Sequence, residues 1–417
     1  MSTNYRVSFV AGTEGLASSE ICAKWREAIS QSANFRVALQ TPEWAAYRSG
    51  FAGRLTLCIM RTQEGGIVGV TPLLENSHSL GFSVGRKSLL NVPAKGLLLM
   101  GNLPLMPAEA RESFFEALAA KTTCDSVHIL GIPRGAEFDT FLQSLGTHRE
   151  SPWLFYRLEP SQRYYYIQML ASLEEYEKQF GSKARYNLKR EAKLLKARGG
   201  GELELARITR PEQVGAFLQE ARAIASKSWQ KFLVGLALDE SANRQELLTS
   251  MAIQGILRAY VLRCGGIPCA YGIGFQLNGI FYFYETAYDE EWSNVSPGKV
   301  MIYLLLQDLF AHEPPHTFYF GPGDAHYKRW FANASGDEVT WLVLRKTFSN
   351  RVKIAVHRGF RSLVERLKRF RPTTDNAMPL TSQDVGETSK HRSISKLSML
   401  AVSYNLLLSV WVRRGSN

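Results

Sequence analysis

The chain has 417 residues, too many for one ordinary hydrophobic core, which predicts two or three domains. Its 45% hydrophobic and 21% charged residues are typical of a soluble globular protein. The cysteines and histidines lack the paired spacing of metal ligands, which argues against a metal site and favours a reducing, cytoplasmic location. The N-terminus lacks the basic start and apolar run of a secretion signal.

A unit of strands and a helix is predicted in the first 160 residues. The apolar runs at 55–60 and 67–74 flank a Gly-Gly turn, a pattern that predicts a β-hairpin. A stretch with helical periodicity at 108–120 and a strand at 127–133 follow. Short strands followed by a helix indicate a mixed α/β unit.

A basic helix is predicted at 181–198, before a run of three glycines that ends it. One stripe of this helix carries four basic side chains: Arg185, Lys189, Lys193 and Lys196. Such a stripe attracts anions, which makes Arg185 and Lys189 candidate substrate contacts. A solvated basic face explains the same pattern, and the sequence leaves both interpretations open.

The second unit repeats the order of the first. It contains a Gly-Gly hairpin, a helix and a closing strand, at 259–264 with 267–275, at 298–311 and at 318–322. We interpret the repeat as a duplication, so the expected fold class is α/β (α+β), with two tandem mixed sheets and flanking helices. The predicted domains are a non-catalytic half at 1–160, a catalytic half at 161–345 and a basic helical tail at 346–417.

Two junctions between a strand and a helix lie in residues 281–331. Where glycine occurs at such a junction, backbone N–H groups stay open to a ligand, and the helix N-terminus adds partial positive charge. The first junction therefore predicts a phosphate or diphosphate site. Its candidate ligands are Ser296, Gly298, Lys299 and Val300.

The candidate catalytic groups lie on the aromatic strand before the first junction and just after the second. Glu285, in the middle of the strand, is the preferred general base, and Asp324 is the second choice. Tyr327 is the candidate acid, and Lys328 is the candidate group that binds an anionic substrate or polarises a carbonyl. A structural salt bridge is the alternative role for Glu285.

Several aromatic side chains are candidates for a sugar or acyl channel: Trp229, Tyr284 and Tyr288. Packing in the core is the alternative for each of them, because most aromatic side chains fill cores. Alternation along the strand places Phe283 and Glu285 on one face of the sheet and Tyr284 on the other.

Much of the net charge of +12 lies near the C-terminus. Residues 345–371 hold ten Lys or Arg against one Glu, a net charge of +9. An apolar stripe with helical spacing runs through this segment: Val356, Phe360, Leu363, Leu367 and Phe370. A basic amphipathic helix is a candidate for an anionic membrane surface, and packing of the stripe on the protein itself is the preferred alternative. Beyond a linker at 372–394, the uncharged run at 397–412 predicts an interfacial or docking helix.

These features, in this order, resemble the GNAT-superfamily acetyltransferase domain of CelD-like proteins, which are linked to bacterial cellulose and exopolysaccharide synthesis. They are more distantly similar to Fem-type peptidyl transferases, which pair two GNAT-like halves. The resemblance covers about residues 170–345, with weaker similarity at 41–44 and 68–73. Its motifs are Arg-x-Asn-Leu-x-Arg at 185–190, Ser-Pro-Gly at 296–298 and Gly-Asp-x-x-Tyr-Lys at 323–328.

The resemblance implies acyl transfer from acetyl-CoA or another acyl-CoA to a small-molecule amine, such as an amino sugar in cell-envelope or polysaccharide metabolism. It implies that the CoA diphosphate binds at 296–300, that Tyr327 protonates the leaving thiolate, and that Lys328 neutralises charge at the transferred carbonyl. The basic tail, which lies outside the resemblance, would place this cytoplasmic protein at the inner membrane face.

The usual Gln/Arg-x-x-Gly-x-Gly/Ala loop of the family is absent, and Gly298 alone stands in for it. An aminoacyl-tRNA donor, as in Fem-type enzymes, is therefore the alternative to acyl-CoA. It ranks lower because the long helical hairpin that Fem-type chains use for RNA is not evident. A non-catalytic scaffold is the second alternative.

Overall fold

The structure is a computed structural model that describes residues 5–50, 52–84, 87–121, 124–228 and 241–369. Several predictions lie outside these described residues: those on Trp229, Phe370, the linker at 372–394 and the apolar run at 397–412.

The described residues contain twelve strands, which form one mixed sheet. In chain order they are β1 (Arg6–Ala11), β2 (Leu55–Arg61), β3 (Ile67–Val84), β4 (Lys87–Leu99), β5 (Ser126–Pro133), β6 (Trp153–Gln168), β7 (Leu203–Ile208), β8 (Leu257–Cys264), β9 (Ile267–Leu277), β10 (Ile280–Tyr288), β11 (Thr317–Pro322) and β12 (Ala334–Arg345).

Helices pack on both faces of this sheet. In the described ranges they are α1 (Gly12–Ala17), α2 (Ser19–Ser30), α3 (Pro42–Ser49), α4 (Arg111–Ala120), α5 (Glu137–Leu145), α6 (Leu173–Glu177), α7 (Ser182–Arg198), α8 (Val214–Ser226), α9 (Ala242–Ile253), α10 (Pro297–His312), α11 (His326–Phe331) and α12 (Phe348–Arg369). Short 3-10 turns occupy Val37–Gln40, Ala108–Ala110, Pro211–Gln213 and Glu290–Val295.

Side-chain caps explain where several of these helices begin. The Ser18 hydroxyl accepts a hydrogen bond from the Ile21 N–H at 3.3 Å, at the start of α2. Thr41 caps α3 in the same way, and Pro42, which has no N–H to satisfy, occupies the first helical position. Ser241 caps α9. Each cap satisfies a backbone donor that the helix itself leaves without a partner.

The sequence predicted both hairpins, and both are confirmed. β2 pairs with β3 and β8 pairs with β9, each in antiparallel register. The helical stretches predicted at 108–120 and 298–311 correspond to α4 with its preceding 3-10 turn and to α10. The mixed α/β class is therefore correct.

The two units share one sheet instead of forming two. The strand order is β1-β2-β3-β4-β5-β12-β6-β11-β10-β9-β8-β7. β12, from the end of the second unit, pairs with β5 of the first, and β6 pairs with β11 of the second. The two units have thus exchanged a strand, and the predicted boundary at 160 falls inside β6.

Each unit contains one parallel strand pair of the same kind. β4 pairs with β5 through Leu97–Leu99 and Val127–Ile129, and β10 pairs with β11 through residues 280–282 and 317–319. In both pairs the shared register is three residues long, and a helix connects the two strands. This correspondence supports the duplication inferred from the sequence.

The hydrophobic core also crosses the boundary between the units. Trp25 of α2 and Trp44 of α3 belong to the same buried cluster as Phe217 of α8 and Leu248 of α9. A second cluster, on the opposite face, packs α7 and α10 against β10 and β11. Helices of the first unit therefore cover one face of the second unit's strands.

The C-terminal helix α12 packs on the sheet with a face that the sequence did not predict. Ile354, His357 and Val364 are buried, whereas Val356, Leu363 and Leu367 of the expected stripe are exposed. The preferred expectation that the stripe packs on the protein is therefore wrong for these three residues, and Phe360 alone among the described stripe residues packs against the core.

His357 accounts for this different orientation of α12. The Tyr156 hydroxyl and His357 Nδ1 are 2.8 Å apart, and the opposite ring nitrogen lies 3.2 Å from the Gly81 carbonyl oxygen. A polar side chain on the buried face shifts the helix away from the position that apolar periodicity favours.

Within the described ranges, none of the helices combines the length and hydropathy that a membrane crossing requires.

A buried ion pair joins residues that are 302 positions apart. The guanidinium of Arg36 donates to both carboxylate oxygens of Glu338 on β12, at 2.8 and 2.7 Å, and both side chains are buried. The Tyr319 hydroxyl donates to the same carboxylate at 3.3 Å. A Cβ at Gly131, whose φ is +71°, would lie 2.3 Å from the Arg36 guanidinium carbon, so a side chain cannot fit there.

We expect Arg36→Met to lower the free energy of unfolding by about 3–5 kcal/mol, because it leaves a buried carboxylate without its partner. The double variant Arg36→Met/Glu338→Leu should recover most of that loss. Urea unfolding at neutral pH measures all three free energies. Arg54→Met, which removes a solvent-exposed pair with Glu75, is the control and should cost at most about 1 kcal/mol. Equal losses in Arg36→Met and the control would contradict the argument.

Candidate active site

The strands β10 and β11 part after a short parallel pairing. Their last common register pair is Tyr282 with Tyr319, although β10 continues to Tyr288 and β11 to Pro322. We call the gap between residues 283–288 and 320–322 the wedge. Open α/β sheets bind ligands beyond the carboxyl ends of parallel strands, where backbone groups lack strand partners. The wedge is such a position, and it ends beside the N-termini of α10 and α11.

A β-bulge at Tyr284 changes the predicted direction of Glu285. The register with β9 shifts between Phe283, opposite Gly274, and Glu285, opposite Ile273. One extra residue reverses the alternation, so Glu285 contacts Tyr271, on the face away from α10, whereas Phe283 packs with the α10 cluster. The expectation that Glu285 and Phe283 share a face is therefore wrong.

Both carboxylate oxygens of Glu285 are occupied. Arg244 of α9 donates to one oxygen at 2.8 Å, and the Tyr271 hydroxyl donates to the other at 2.8 Å. Burial lowers the pKa of Arg244, but Glu285 raises it, and the net result is a pKa above the ordinary value. All three side chains are buried. This geometry fits the structural salt bridge that the sequence left as the alternative to a general base.

The N-terminus of α10 offers fewer open amides than expected. Ser296 adopts a left-handed conformation, with φ of 54°, and its carbonyl accepts from the N–H groups of Lys299 and Val300 at 3.1 Å each. Pro297 has no N–H. The Gly298 N–H is left without a backbone acceptor among the described residues. Lys299 and Val300 are thus corrected as amide donors to a ligand, and the Val300 side chain is fully buried.

Cationic side chains surround this N-terminus. The Lys299 ammonium lies 3.0 Å from Glu191 of α7 and 4.4 Å from the centre of the Trp330 ring. These contacts connect α7 to the start of α10. Arg185 and Lys189 of α7 form no ion pair with any residue in the described part of the chain. Their charge is therefore not neutralised by an acidic side chain in the described part of the chain.

Tyr327 lies after β11, with its ring packed edge-on against Phe320 at 6.0 Å. Within the described ranges its hydroxyl has no hydrogen-bond partner. Burial raises the pKa of Tyr327 above its ordinary value, so the phenol stays protonated at neutral pH. The Tyr327 hydroxyl is therefore a proton donor without an acceptor among the described residues.

The other aromatic candidates lie on different faces. Tyr288 packs beside Gly298, where a Cβ would meet the Tyr288 ring at 3.2 Å, and is thus close to the α10 N-terminus. Tyr284 lies in the core cluster on the other face and contacts Trp44 at 5.2 Å between ring centres. There it borders a small cavity of about 70 Å³ that Arg36 also lines. Of these two, Tyr288 is the one that lies near the α10 N-terminus.

Lys328 is almost completely buried. Its ammonium donates to the carbonyl oxygens of Pro322 at 2.7 Å and Gly321 at 3.2 Å, at the end of β11. Burial lowers its pKa to about 7, while Glu338 acts in the opposite direction. Lys328 therefore carries a proton part of the time at neutral pH.

Asp324, the second-choice base, is exposed at the turn between β11 and α11. It accepts from the Tyr165 hydroxyl at 2.9 Å and from Arg329 at 2.5 Å. These contacts tie the turn to β6 and α11. Because Asp324 is paired with Arg329, it is not placed to act as a general base.

The sequence interpretation missed the charged group beside Lys328. Arg36 and Glu338 are close enough to shift the pKa of Lys328, yet neither residue lies in a recognisable motif. Their partnership depends on the strand exchange, so no local pattern signals it. No cluster of three or more His, Cys, Asp or Glu suited to a metal ion occurs in the described part of the chain.

The lowered pKa of Lys328 has a consequence for stability. Above about pH 7, the unfolded chain keeps a proton on this side chain that the folded chain has lost, so folding stability rises with pH. We expect the free energy of unfolding of the wild type, relative to Lys328→Met, to rise by about 1.4 kcal/mol per pH unit between about pH 7 and pH 9.

Urea titrations across that range measure the difference. Lys178→Met, which removes an exposed lysine, is the matched control, and its difference from the wild type should stay constant. If the difference for Lys328→Met were also constant with pH, burial would not lower the pKa of Lys328.

Comparisons with known proteins agree with this geometry. A family profile described as acetyltransferase (GNAT) domain matches residues 182–329, from the start of α7 into α11. The solved structure of FemX superposes with a TM-score of 0.53 at 11% identity, over 81% of this chain and 96% of FemX. A comparison with curated proteins finds no match.

Two further solved structures have lower scores. L-PGS from Bacillus licheniformis gives 0.46 at 14% identity, over 82% of this chain and 96% of its own. A tandem GNAT protein from the clavulanic acid biosynthesis pathway gives 0.43 at 13%, over 82% and 99%. These two scores are below 0.5, so FemX alone of the three structures supports the fold. The profile match thus identifies an acetyltransferase (GNAT) domain at residues 182–329, and the fold of the chain is similar to that of FemX.

Proposed function

We propose that this protein transfers an acyl group from an acyl-CoA thioester, acetyl-CoA or a longer one, to the amine of a small molecule. The observation that carries the proposal is the wedge between β10 and β11, which opens beside a helix N-terminus. The pantetheine arm of CoA is extended and carries amide groups. Such an arm can hydrogen-bond to unpaired strand edges in the way that an added strand does.

The surroundings of the α10 N-terminus support a diphosphate at the outer end of that arm. The Gly298 N–H has no backbone acceptor in the described ranges, and the helix dipole favours an anion there. The helix α7, which contacts Lys299 through Glu191, adds the positive charge of Arg185 and Lys189. The proposed donor site therefore combines one directed amide with a diffuse cationic surface, not a full ring of amides.

In the proposed reaction, the amine nitrogen attacks the thioester carbonyl, and the carbon–sulfur bond then breaks. The Tyr327 hydroxyl gives its proton to the departing CoA thiolate. The attacking amine loses its proton to water, because Glu285 is paired with Arg244 and Asp324 with Arg329. The products are the amide and free CoA, and the Tyr327 phenolate regains a proton from water, which took one from the amine.

Lys328 contributes in its protonated form. Two of its three ammonium protons go to the carbonyls of Gly321 and Pro322, so one remains for the oxygen of the tetrahedral intermediate. Because burial lowers its pKa to about 7, we expect the rate of the chemical step to fall as pH rises through about 7. A rate that rises over the same range would instead make the neutral amine a base and would contradict this role.

Tyr327→Phe tests the acid. We expect kcat to fall by about 100-fold while KM for acetyl-CoA changes little, because the hydroxyl acts on the leaving group and not on donor binding. An acyl donor with a more acidic leaving thiol should recover part of the rate. Tyr5→Phe, which alters a hydroxyl on the distant strand edge, is the control. An unchanged kcat in Tyr327→Phe would remove Tyr327 from the mechanism.

Gly298 permits a matched test of donor binding. Gly298→Pro removes the one N–H that lacks a backbone acceptor, and proline is tolerated in the first turn of a helix. Gly298→Ala keeps the N–H and adds a comparable contact with Tyr288. We expect the proline variant to bind acetyl-CoA about 10- to 100-fold more weakly than the alanine variant, the loss of one charge-assisted hydrogen bond. Isothermal titration with acetyl-CoA measures this ratio, and equal affinities would contradict the proposed diphosphate position.

Aminoacyl-tRNA is the second candidate donor, and one observation favours it. In the basic stripe of α7, Lys189, Lys193 and Lys196 are exposed and Arg185 is half-buried. None of the four forms an ion pair with a described residue, which suits a polyanion. A melting-temperature screen with acetyl-CoA, longer acyl-CoAs and tRNA separates the two, because a ligand of the native state raises the midpoint. Stabilisation by tRNA alone, with strong salt dependence, would replace acyl-CoA as the donor.

The acceptor class rests on the resemblance described from the sequence. CelD-like proteins are linked to cellulose and exopolysaccharide synthesis, which supports an amino sugar in polysaccharide or cell-envelope metabolism as the acceptor. The same donor screen addresses the scaffold alternative, since a scaffold would bind neither acyl-CoA nor tRNA.

A further inference from the structure

We propose that α12, together with the exposed residues Val84 of β3 and Leu89 and Leu90 of β4, forms a docking surface for an anionic lipid bilayer. This membrane-binding role is separate from the proposed acyl transfer. We call this region the α12 surface. Its apolar members are Val84, Leu89, Leu90, Phe348, Val352, Val356, Leu363 and Leu367.

The apolar side chains of the α12 surface face solvent although the helix is anchored. Phe348 is 83% exposed, Val356 is 56% exposed and Leu367 is 58% exposed. Ile354, His357 and Val364 already occupy the buried face, so rotation of the helix cannot cover the outer row. Exposed apolar patches of this kind mark interaction sites.

The hairpin extends the same surface. Leu89 and Leu90 of β4 are 61% and 56% exposed. An open apolar groove of about 580 Å³ runs between β4 and α12, with Leu90, Val92, Phe348 and Val352 among its lining residues. The exposed apolar side chains of β4 and α12 therefore form one continuous region.

The positive charge of α12 favours an anionic bilayer as the partner of this surface. Residues 348–369 contain seven Lys or Arg and one acid, Glu365, which lies 3.8 Å from Arg361. Arg351, Arg358 and Arg366 are exposed beside the apolar row. Apolar side chains that enter the headgroup region, flanked by arginines that meet lipid phosphates, are the pattern of a helix that lies on an anionic bilayer.

Two other occupants fit the charge less well. A second copy of the chain would bring two equally cationic helices together, and like charges at an interface oppose binding. The apolar run at 397–412 is flanked by Lys396 and by Arg413 with Arg414, so it too carries positive charge toward a basic helix. A bilayer rich in phosphatidylglycerol supplies the negative charge that both of these lack.

Vesicle sedimentation with the full-length protein tests the proposal. We expect binding to vesicles of equal parts phosphatidylglycerol and phosphatidylcholine, and little binding to phosphatidylcholine alone. Val352→Ser/Val356→Ser/Leu363→Ser should weaken partitioning by about 100-fold, because it removes the apolar contacts. Ile253→Ser, at a 66% exposed position on α9, is the matched control and should bind like the wild type.

A second variant tests the electrostatic part. Arg351→Gln/Arg366→Gln should weaken binding to the anionic vesicles by about fivefold for each charge removed. All substituted side chains are exposed, so the melting temperatures of the variants should match that of the wild type.

Three results would overturn the proposal. The first is a wild type that stays in the supernatant with anionic vesicles. The second is a triple serine variant that sediments as the wild type does, which would assign binding to another segment. Light scattering could instead reveal a dimer that the serine variant dissociates, without vesicle binding, and the surface would then join two copies. The assay contains no donor or acceptor, so its failure leaves the proposed acyl transfer untouched.

Discussion

The exchange of β6 and β12 is the constraint on which the rest of the structure depends. Because β12 completes the sheet beside β5 and β6 completes it beside β11, each unit supplies a strand that the other needs. The wedge has one wall in β11, and β11 is held in place by β6. The first unit lacks the candidate chemistry of the second, but it holds the strand that frames the proposed donor site.

The two faces of the sheet contribute different groups to the candidate site. On one face, α7 presents cationic side chains, α10 presents the Gly298 amide and α11 presents Tyr327. On the other face, helices of the first unit pack against β10, and Arg36 reaches Glu338. Lys328 joins the two sides, since its ammonium binds the end of β11 and its pKa responds to Arg36 and Glu338. The buried ion pair thus sets the local electrostatics as well as the packing.

Local sequence patterns predicted local structure well. Apolar runs around Gly-Gly turns located both hairpins, and apolar periodicity beside proline and glycine located α10. The features that pattern reasoning missed all depend on distant partners. The bulge at Tyr284 reverses the direction of Glu285, Arg36 finds Glu338 through the strand exchange, and His357 turns α12 onto an unexpected face. The sequence therefore located the strand–helix junctions that carry the candidate site, but it did not indicate the partners of the charged groups there.

The strand exchange also dictates the order in which this protein can mature on the ribosome. β5 is complete at Pro133, yet its neighbour β12 begins at Ala334, about 200 residues later. At ordinary translation speeds, that interval is about 10–40 s, during which the nascent edge of β5 stays without its final partner. Neither half is thus a self-sufficient module, and gene fragments that separate them would produce chains with an open sheet edge prone to aggregation.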